Sequence, residues 1–236
     1  MSRQIILDTE TTGIQHEQGH RIIEIGCVEL VNRRITNNRF HCYINPEREI
    51  EAGAQAVHGI TSEFLQDKPL FADVAKDFID FVQGAELIIH NAPFDVGFLN
   101  YELQLTKQNW LPLTEYCRIF DTLALARKMH AGMRNSLDAL CKRYSVDNKH
   151  REFHGALLDS YLLAQVYLAM TEGQRSLLDE LDKTTHAVAQ KFISKINTLR
   201  NKIVIKATPE EEQLHEDYLQ KMVKQGKCLW AGWRDG

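Results

Sequence analysis

Apolar and polar positions alternate along the first part of the chain and then switch to a helical spacing. The apolar run Ile5-Ile6-Leu7 predicts a buried strand over residues 3–8. Residues 21–31 are rich in β-branched side chains and roughly alternate, and Ile35 to Ile44 gives a third strand after Asn32-Arg33-Arg34 turn the chain. Links this short predict an antiparallel meander. From Pro69 to Val82 the period changes: Phe71, Val74, Ala75, Phe78, Ile79 and Val82 share one helical face, and Gly84 stops the helix. Glu86 to His90 is a short apolar strand. Asn91 is placed to cap the next helix, which has Pro93 in its first turn and carries Phe94, Phe98, Tyr101 and Leu105. A fifth strand falls near Tyr116 to Phe120, and Asp121 and Ser136 can start two further helices. Gly155 to Met170 is a long helix ended by Thr171-Glu172-Gly173. A meander followed by helix–strand–helix units predicts an α/β or α+β domain on a mixed sheet.

Beyond Gly173 the apolar positions thin out. One β-branched stretch (Lys202 to Lys206) and one charged helical stretch (Pro209 to Lys224) precede the ending Cys228-Leu229-Trp230-Ala231-Gly232-Trp233. Two tryptophans with little core to bury them read either as partner contacts or as an arm folded back on its own domain. The organisation predicted is a domain over residues 1–173, a linker over 174–190 and a C-terminal segment over 191–236.

Composition adds bounds. At 236 residues, 44% hydrophobic and 25% charged, the chain is of ordinary globular make-up. It has no apolar run of the roughly 18 residues a membrane span needs. Met1-Ser2-Arg3-Gln4 leads straight into the first strand, which predicts no signal peptide. Five scattered cysteines without a C-x-x-C favour reduced thiols and a cytoplasmic location over a disulfide framework or a zinc site. The net charge of -4 conceals an asymmetry: residues 1–182 carry 18 Lys/Arg against 26 Asp/Glu, and residues 183–236 carry 10 against 6. An acidic body attracts nucleic acid poorly at long range, so any such substrate needs metals, local contacts or a partner to hold it.

The candidate chemistry starts at Asp8-Thr9-Glu10. Residues i and i+2 of a strand point to one face, so two carboxylates are aimed at one spot. Like charges that close need a shared proton or a cation, and a divalent metal brings phosphoryl chemistry with it. Asn91-Ala92-Pro93-Phe94-Asp95 adds an acid in the first turn of a helix, where the helix dipole alone is also a sufficient reason for it. His154-Gly155-Ala156-Leu157-Leu158-Asp159 adds a histidine before a helix and an acid among apolar neighbours, which needs a partner or a cation.

Together these segments resemble the DEDD exonuclease superfamily in its His-containing branch. The D-x-E motif is Asp8 and Glu10; N-x-x-F-D is Asn91 to Asp95; H-x-A-x-x-D is His154, Ala156 and Asp159. The similarity extends to Thr11-Thr12-Gly13, Ile23-Glu24-Ile25-Gly26, Val57-His58-Gly59-Ile60, His90 and Asn135 to Cys141. Within the branch, the chain is similar to the proofreading-subunit family of bacterial replicative DNA polymerases over roughly residues 3–171, and again at Cys228-Leu229-Trp230.

The resemblance implies a ribonuclease-H-like five-stranded mixed sheet flanked by helices, with a C-terminal partner-binding extension. It implies a 3′→5′ DNA exonuclease that releases 5′-mononucleotides. Asp8, Glu10, Asp95 and Asp159 would hold two Mg²⁺ or Mn²⁺ ions, with Asp8 bridging them, about 3.5–4 Å apart as two-metal hydrolysis requires. His154, an imidazole, would take the proton of the attacking water. Thr11, His58 and Asn91 are candidate substrate contacts; Phe94 can shape the pocket. His58 reads equally as a turn histidine before Gly59, and Asn91 as a cap. Gly53 stands where the family often has an acid, so that side of the pocket departs from the pattern. Implied partners are the 3′ end of DNA, a polymerase (alpha) subunit bound through the C-terminal segment, a sliding clamp bound through Gln174 to Leu178, and a small theta-like subunit. An RNA-trimming exonuclease and a mainly structural polymerase-stabilising subunit are the alternatives.

Overall fold

The computed structural model describes residues 3–148, 153–172 and 207–225. The chain divides into two units, residues 1–175 and 176–236.

The first unit is built on five strands: β1 (Arg3–Thr11), β2 (Ile22–Val31), β3 (Arg34–Tyr43), β4 (Glu86–Ile89) and β5 (Arg118–Asp121). Their order across the sheet is β3-β2-β1-β4-β5. The first three pair antiparallel, while β4 lies parallel to β1 and β5 parallel to β4. Asn32 and Arg33 both take positive φ, at 50° and 63°, which matches the twist of the β2–β3 hairpin they close. The sheet is therefore mixed because a local meander is extended by two crossovers, and the crossovers need helices.

Those helices are α1 (Ala52–His58), α2 (Ser62–Leu65), α3 (Phe71–Val82), α4 (Ala92–Leu105), α5 (Thr122–Met129), α6 (Leu137–Tyr144) and α7 (Ala156–Glu172). One core layer joins Ile5 and Leu7 of β1 to Phe71, Phe78, Phe98 and Leu99 of α3 and α4. The other joins Ile6, Val28 and Ile88 to Leu140, Leu162, Leu163 and Val166 of α6 and α7. Alternation along β1 thus sends odd positions toward α3 and α4 and even positions toward α7. This arrangement is the ribonuclease-H-like sheet flanked by helices.

Most of the expected elements are present, with their ends shifted by a few residues. Asp121 accepts from the Leu123 and Ala124 N–H groups, and Ser136 from Ala139, so both start helices as their side-chain chemistry predicts. Asn91 does not act as a side-chain cap: it sits at φ 69° and ψ 52° and makes no cap hydrogen bond. α1 and α2 were not expected. They are short, and the first buries only His58, so neither offers an apolar stripe to read.

In the second unit α8 (Pro209–Lys224) is the described element, and the charged stretch is helical over the expected span. Thr208 and Glu211 form a capping box, with acids in the first turn and lysines in the last, as the helix dipole favours. Among the described residues no helix is long and apolar enough to cross a membrane. The expected clamp peptide at Gln174 to Leu178, the stretch from Lys202 to Lys206, and Trp230 and Trp233 lie outside the described residues.

Candidate active site

The end of β1 meets the start of α7 on one face and, through Thr9 and Asp95, the start of α4 on the other. Asp8 and Glu10 lie on the even face of β1, toward α7, and Asp159 lies in the first turn of that helix. Gly26 makes the approach possible. It is the register partner of Asp8, and a Cβ on it would lie 2.3 Å from the backbone of Ala156 and Leu157. Only a residue without a side chain lets α7 begin this close to the sheet. Ser160 fixes the contact by donating to the Gly26 carbonyl at 2.8 Å.

Glu10, His154 and Asp159 then have ligand atoms all within 4.8 Å of one another. His154 Nδ1 lies 3.7 Å from Asp159 Oδ2. The imidazole is 42% exposed and the Asp159 side chain 5%, so the ring meets water while the carboxylate is shielded from it. The loop before α7 is tethered at its backbone, where His154 N–H donates to the Val57 carbonyl at 3.1 Å.

Asp95 enters from the other face. It is buried in the first turn of α4 and accepts a 2.7 Å hydrogen bond from Thr9, an odd residue of β1. Burial pushes its carboxyl up to about 7, with the charge of Asp121 adding to the rise and the Thr9 hydrogen bond opposing it. The strand therefore serves both sides of the site: its acids face α7 while Thr9 holds the acid of α4.

This donor set fits a hard divalent cation. Glu10 and Asp159 are two buried carboxylates with ligand atoms inside 4.8 Å, and Asp95 is an acid whose charge burial disfavours. A cation held by Glu10 and Asp159 offsets their mutual repulsion, and carboxylate oxygens are the ligands Mg²⁺ and Mn²⁺ prefer; among the described residues the group whose ligand atoms lie within 4.8 Å of one another includes neither Asp8 nor Asp95.

The remaining candidates surround this group. His58 is 5% exposed; its Nδ1 accepts from Ile60 N–H at 3.0 Å, so Nε2 carries the proton, and Nε2 has no hydrogen-bond partner among the described residues. Burial lowers its pKa, against the pull of the Glu24 charge. Thr11 donates its hydroxyl to the Gly13 carbonyl at 2.6 Å, which leaves its oxygen as an acceptor. Asn91 is exposed at the head of α4, and Asp121 accepts from its backbone N–H at 3.2 Å. Phe94 packs its ring 4.9 Å from that of Phe98.

Two supporting groups were given no role by the sequence, although Glu24 lies in the Ile23-Glu24-Ile25-Gly26 stretch that shares in the resemblance. Glu24, 2% exposed, is the register partner of Glu10 and pairs with His41 Nε2 at 2.8 Å. Its signal was an acid in a strand whose other residues are nearly all apolar. His20, 3% exposed, bridges the Thr12 hydroxyl at 3.0 Å and the Glu51 carboxylate at 3.1 Å, and its ring lies under Gly13, where a Cβ would come within 2.4 Å. It fixes the turn that follows Glu10, and nothing local in the sequence announces it.

The family model described as Exonuclease (RNase_T) matches residues 5–167. The chain is 51% identical to the DNA polymerase III subunit epsilon of Escherichia coli over 242 residues, covering 98% of each. It is 50% identical to the subunit of the same name from Salmonella typhimurium over 98% of each chain, and to that of Rickettsia typhi over 94% of this chain and 98% of the relative. Among solved structures, Exonuclease X in complex with 5′ overhanging duplex DNA aligns with a TM-score of 0.58 at 28% identity, covering 72% of this chain and 92% of that one. Exonuclease I aligns with a TM-score of 0.64 at 18% identity over 78% of this chain and 44% of its own, a likeness of fold.

Proposed function

This chain belongs to the RNase_T exonuclease family, and on that premise we propose that it is the 3′→5′ proofreading exonuclease subunit of a bacterial DNA polymerase III, releasing 5′-mononucleotides from DNA 3′ ends. The observation that carries the reading is the convergence of Glu10, His154 and Asp159 within 4.8 Å, from segments far apart in the chain.

Asp8, Glu10, Asp95 and Asp159 are the residues that would hold two Mg²⁺ or Mn²⁺ ions. Bound there, such ions supply charge stabilisation for the attacking and leaving oxygens of an in-line displacement. The protein's own groups do the rest. His154, exposed at the rim, takes a proton from the attacking water. The tether of its backbone to Val57 keeps the loop in place while the ring remains open to solvent. The Thr11 oxygen accepts from the terminal 3′-hydroxyl, whose donor it complements. The unpartnered Nε2–H of His58 donates to the terminal nucleotide, and the exposed Asn91 side chain borders the same nucleotide from the α4 side.

The same reading places this protein in the cytoplasm within a replicase. Its domain over residues 1–173 cuts, the stretch over 174–190 links and carries the clamp peptide, and 191–236 binds the polymerase. A small theta-like subunit would bind the catalytic domain. The test is a mononucleotide-release assay on primer–templates with paired and mispaired 3′ ends, with and without Mg²⁺. Metal-dependent release of 5′-mononucleotides, faster from mispaired ends, supports the reading. Release of 3′-mononucleotides, or equal rates in chelator, contradicts it.

A further inference from the structure

The short helix α1 joins two groups assigned above to the terminal nucleotide. It starts after Glu51, whose backbone N–H donates to the Thr12 carbonyl at 3.0 Å, next to Thr11. It ends on His58, and its Val57 carbonyl tethers the loop of His154. Burial lowers the His58 pKa, and the Glu24 charge and then the Thr11 backbone oppose that fall, which puts Thr11 beside the ring. Apart from His58 the helix buries no side chain, so apolar packing does not fix where it lies.

His20 supplies the missing tie. The Thr12 hydroxyl accepts from the Arg21 N–H at 3.0 Å, which leaves its hydrogen for His20 Nδ1, 3.0 Å away. Nε2–H is then directed at Glu51 Oε1, 3.1 Å away. Glu51 makes no side-chain cap bond to its own helix, so its carboxylate is left for the imidazole. A hydroxyl, an imidazole and a carboxylate in this order look like a relay that activates a nucleophile, but Thr12 is fully buried and meets no solvent. The arrangement holds; it does not react.

The other side of the turn is anchored as well. The Arg21 carbonyl accepts from the Thr12 N–H at 2.9 Å, and the Arg21 guanidinium donates to both oxygens of Glu102 at 2.8 Å. Glu102 is buried on α4, the helix that carries Asp95. The turn over Thr11 to Gly13 is thereby fixed to α4 through Arg21, and to α1 through His20 and Glu51. A buried imidazole with both nitrogens engaged sets a separation by direction and distance, where an apolar side chain would only fill the space.

We propose that His20 and Glu51 are positioning residues for the terminal nucleotide: they lock the Thr11 turn to α1 and so set the separation of the Thr11 oxygen from His58 Nε2. The inference rests on the exonuclease reading above and on the contacts it gives Thr11 and His58. Neither His20 nor Glu51 touches the substrate; both act through His58.

Glu51 is the residue to change, because its side chain is 55% exposed and its removal opens no cavity. In Glu51→Ala, affinity for thymidine 5′-monophosphate with Mg²⁺ present, read by calorimetry, should weaken about five-fold or more. KM for the para-nitrophenyl ester of that nucleotide should rise by a similar factor, while kcat changes by less than about two-fold. Glu51→Gln, whose amide oxygen still accepts from Nε2–H, should recover most of the affinity despite the lost charge. In a His58→Leu background the Glu51→Ala change should weaken affinity by less than about two-fold, because the contact it positions is gone. A full loss in that background, or no loss from Glu51→Ala alone, would overturn the inference, as would a kcat that falls as far as KM rises. Wild-type protein that cuts neither the ester nor an oligodeoxynucleotide in Mg²⁺ would remove the exonuclease reading itself, and the positioning role with it.

Discussion

Thr9 Oγ1 donates a 2.7 Å hydrogen bond to Asp95 Oδ1, tying the end of β1 to the first turn of α4. The bond holds an acid that burial pushes up to about 7, so the metal-free protein stores an unfavourable charge at this point. Such a group is neutral in the folded state at low pH. It contributes stability below its ordinary value of 3.8, and that contribution is lost as pH rises toward about 7. Asp95→Asn should therefore stabilise metal-free protein near pH ~8, by on the order of 1–3 kcal/mol, while removing activity. Denaturant melts in chelator check the first half and an exonuclease assay the second. A variant less stable than wild type at that pH would contradict the assignment.

Metal addition should reverse the same term. Near pH ~5 the cation competes with a proton on Asp95, and near pH ~8 it does not. Scanning calorimetry should show Mg²⁺ raising Tm clearly at the higher pH and little at the lower. Equal shifts at both would mean that Asp95 takes no part in binding.

Gly26 offers a geometric prediction. Gly26→Ala places a methyl 2.3 Å from the backbone of α7, and that backbone cannot yield as a flexible side chain would. The helix must lift, costing about 1–3 kcal/mol of stability. Because Asp159 and the His154 loop move with it, the rate should fall about 10²-fold even in the folded variant. Rates measured well below its melting temperature distinguish this from unfolding, and a fully active variant would refute the close-approach argument.

His58→Leu isolates the unpartnered nitrogen. Removing a buried donor that has no acceptor should leave the free protein as stable as wild type or more so. Affinity for a deoxynucleoside 5′-monophosphate should nonetheless weaken by about 1–2 kcal/mol, read by calorimetry with Mg²⁺ present. Unchanged affinity would return His58 to the role of a turn residue.

Much of this architecture was legible because it is local. The strand and helix periods of residues 3–44 and 71–105 follow from alternating and stepped apolar positions, and Asp121 and Ser136 announce their helices by capping chemistry. What was not legible is either short or non-local. α1 and α2 carry no apolar stripe. Asn91 looked like a cap because a short polar side chain precedes a helix, yet the turn from β4 drives it to positive φ. Glu24 and Gly26 stood in a stretch that shares in the resemblance, but their roles, like that of His20, come through partners on other strands, helices and loops. The acids were readable one by one, but their grouping depends on which face of β1 each helix covers.

The most direct test of the central claim is the rate of 5′-mononucleotide release by Asp8→Ala and Asp159→Ala, each shown by circular dichroism to be folded. If the carboxylates at the ends of β1 and α7 carry the reaction, both variants should lose about a thousand-fold or more in the presence of saturating Mg²⁺. Substantial activity surviving in either folded variant would contradict the account.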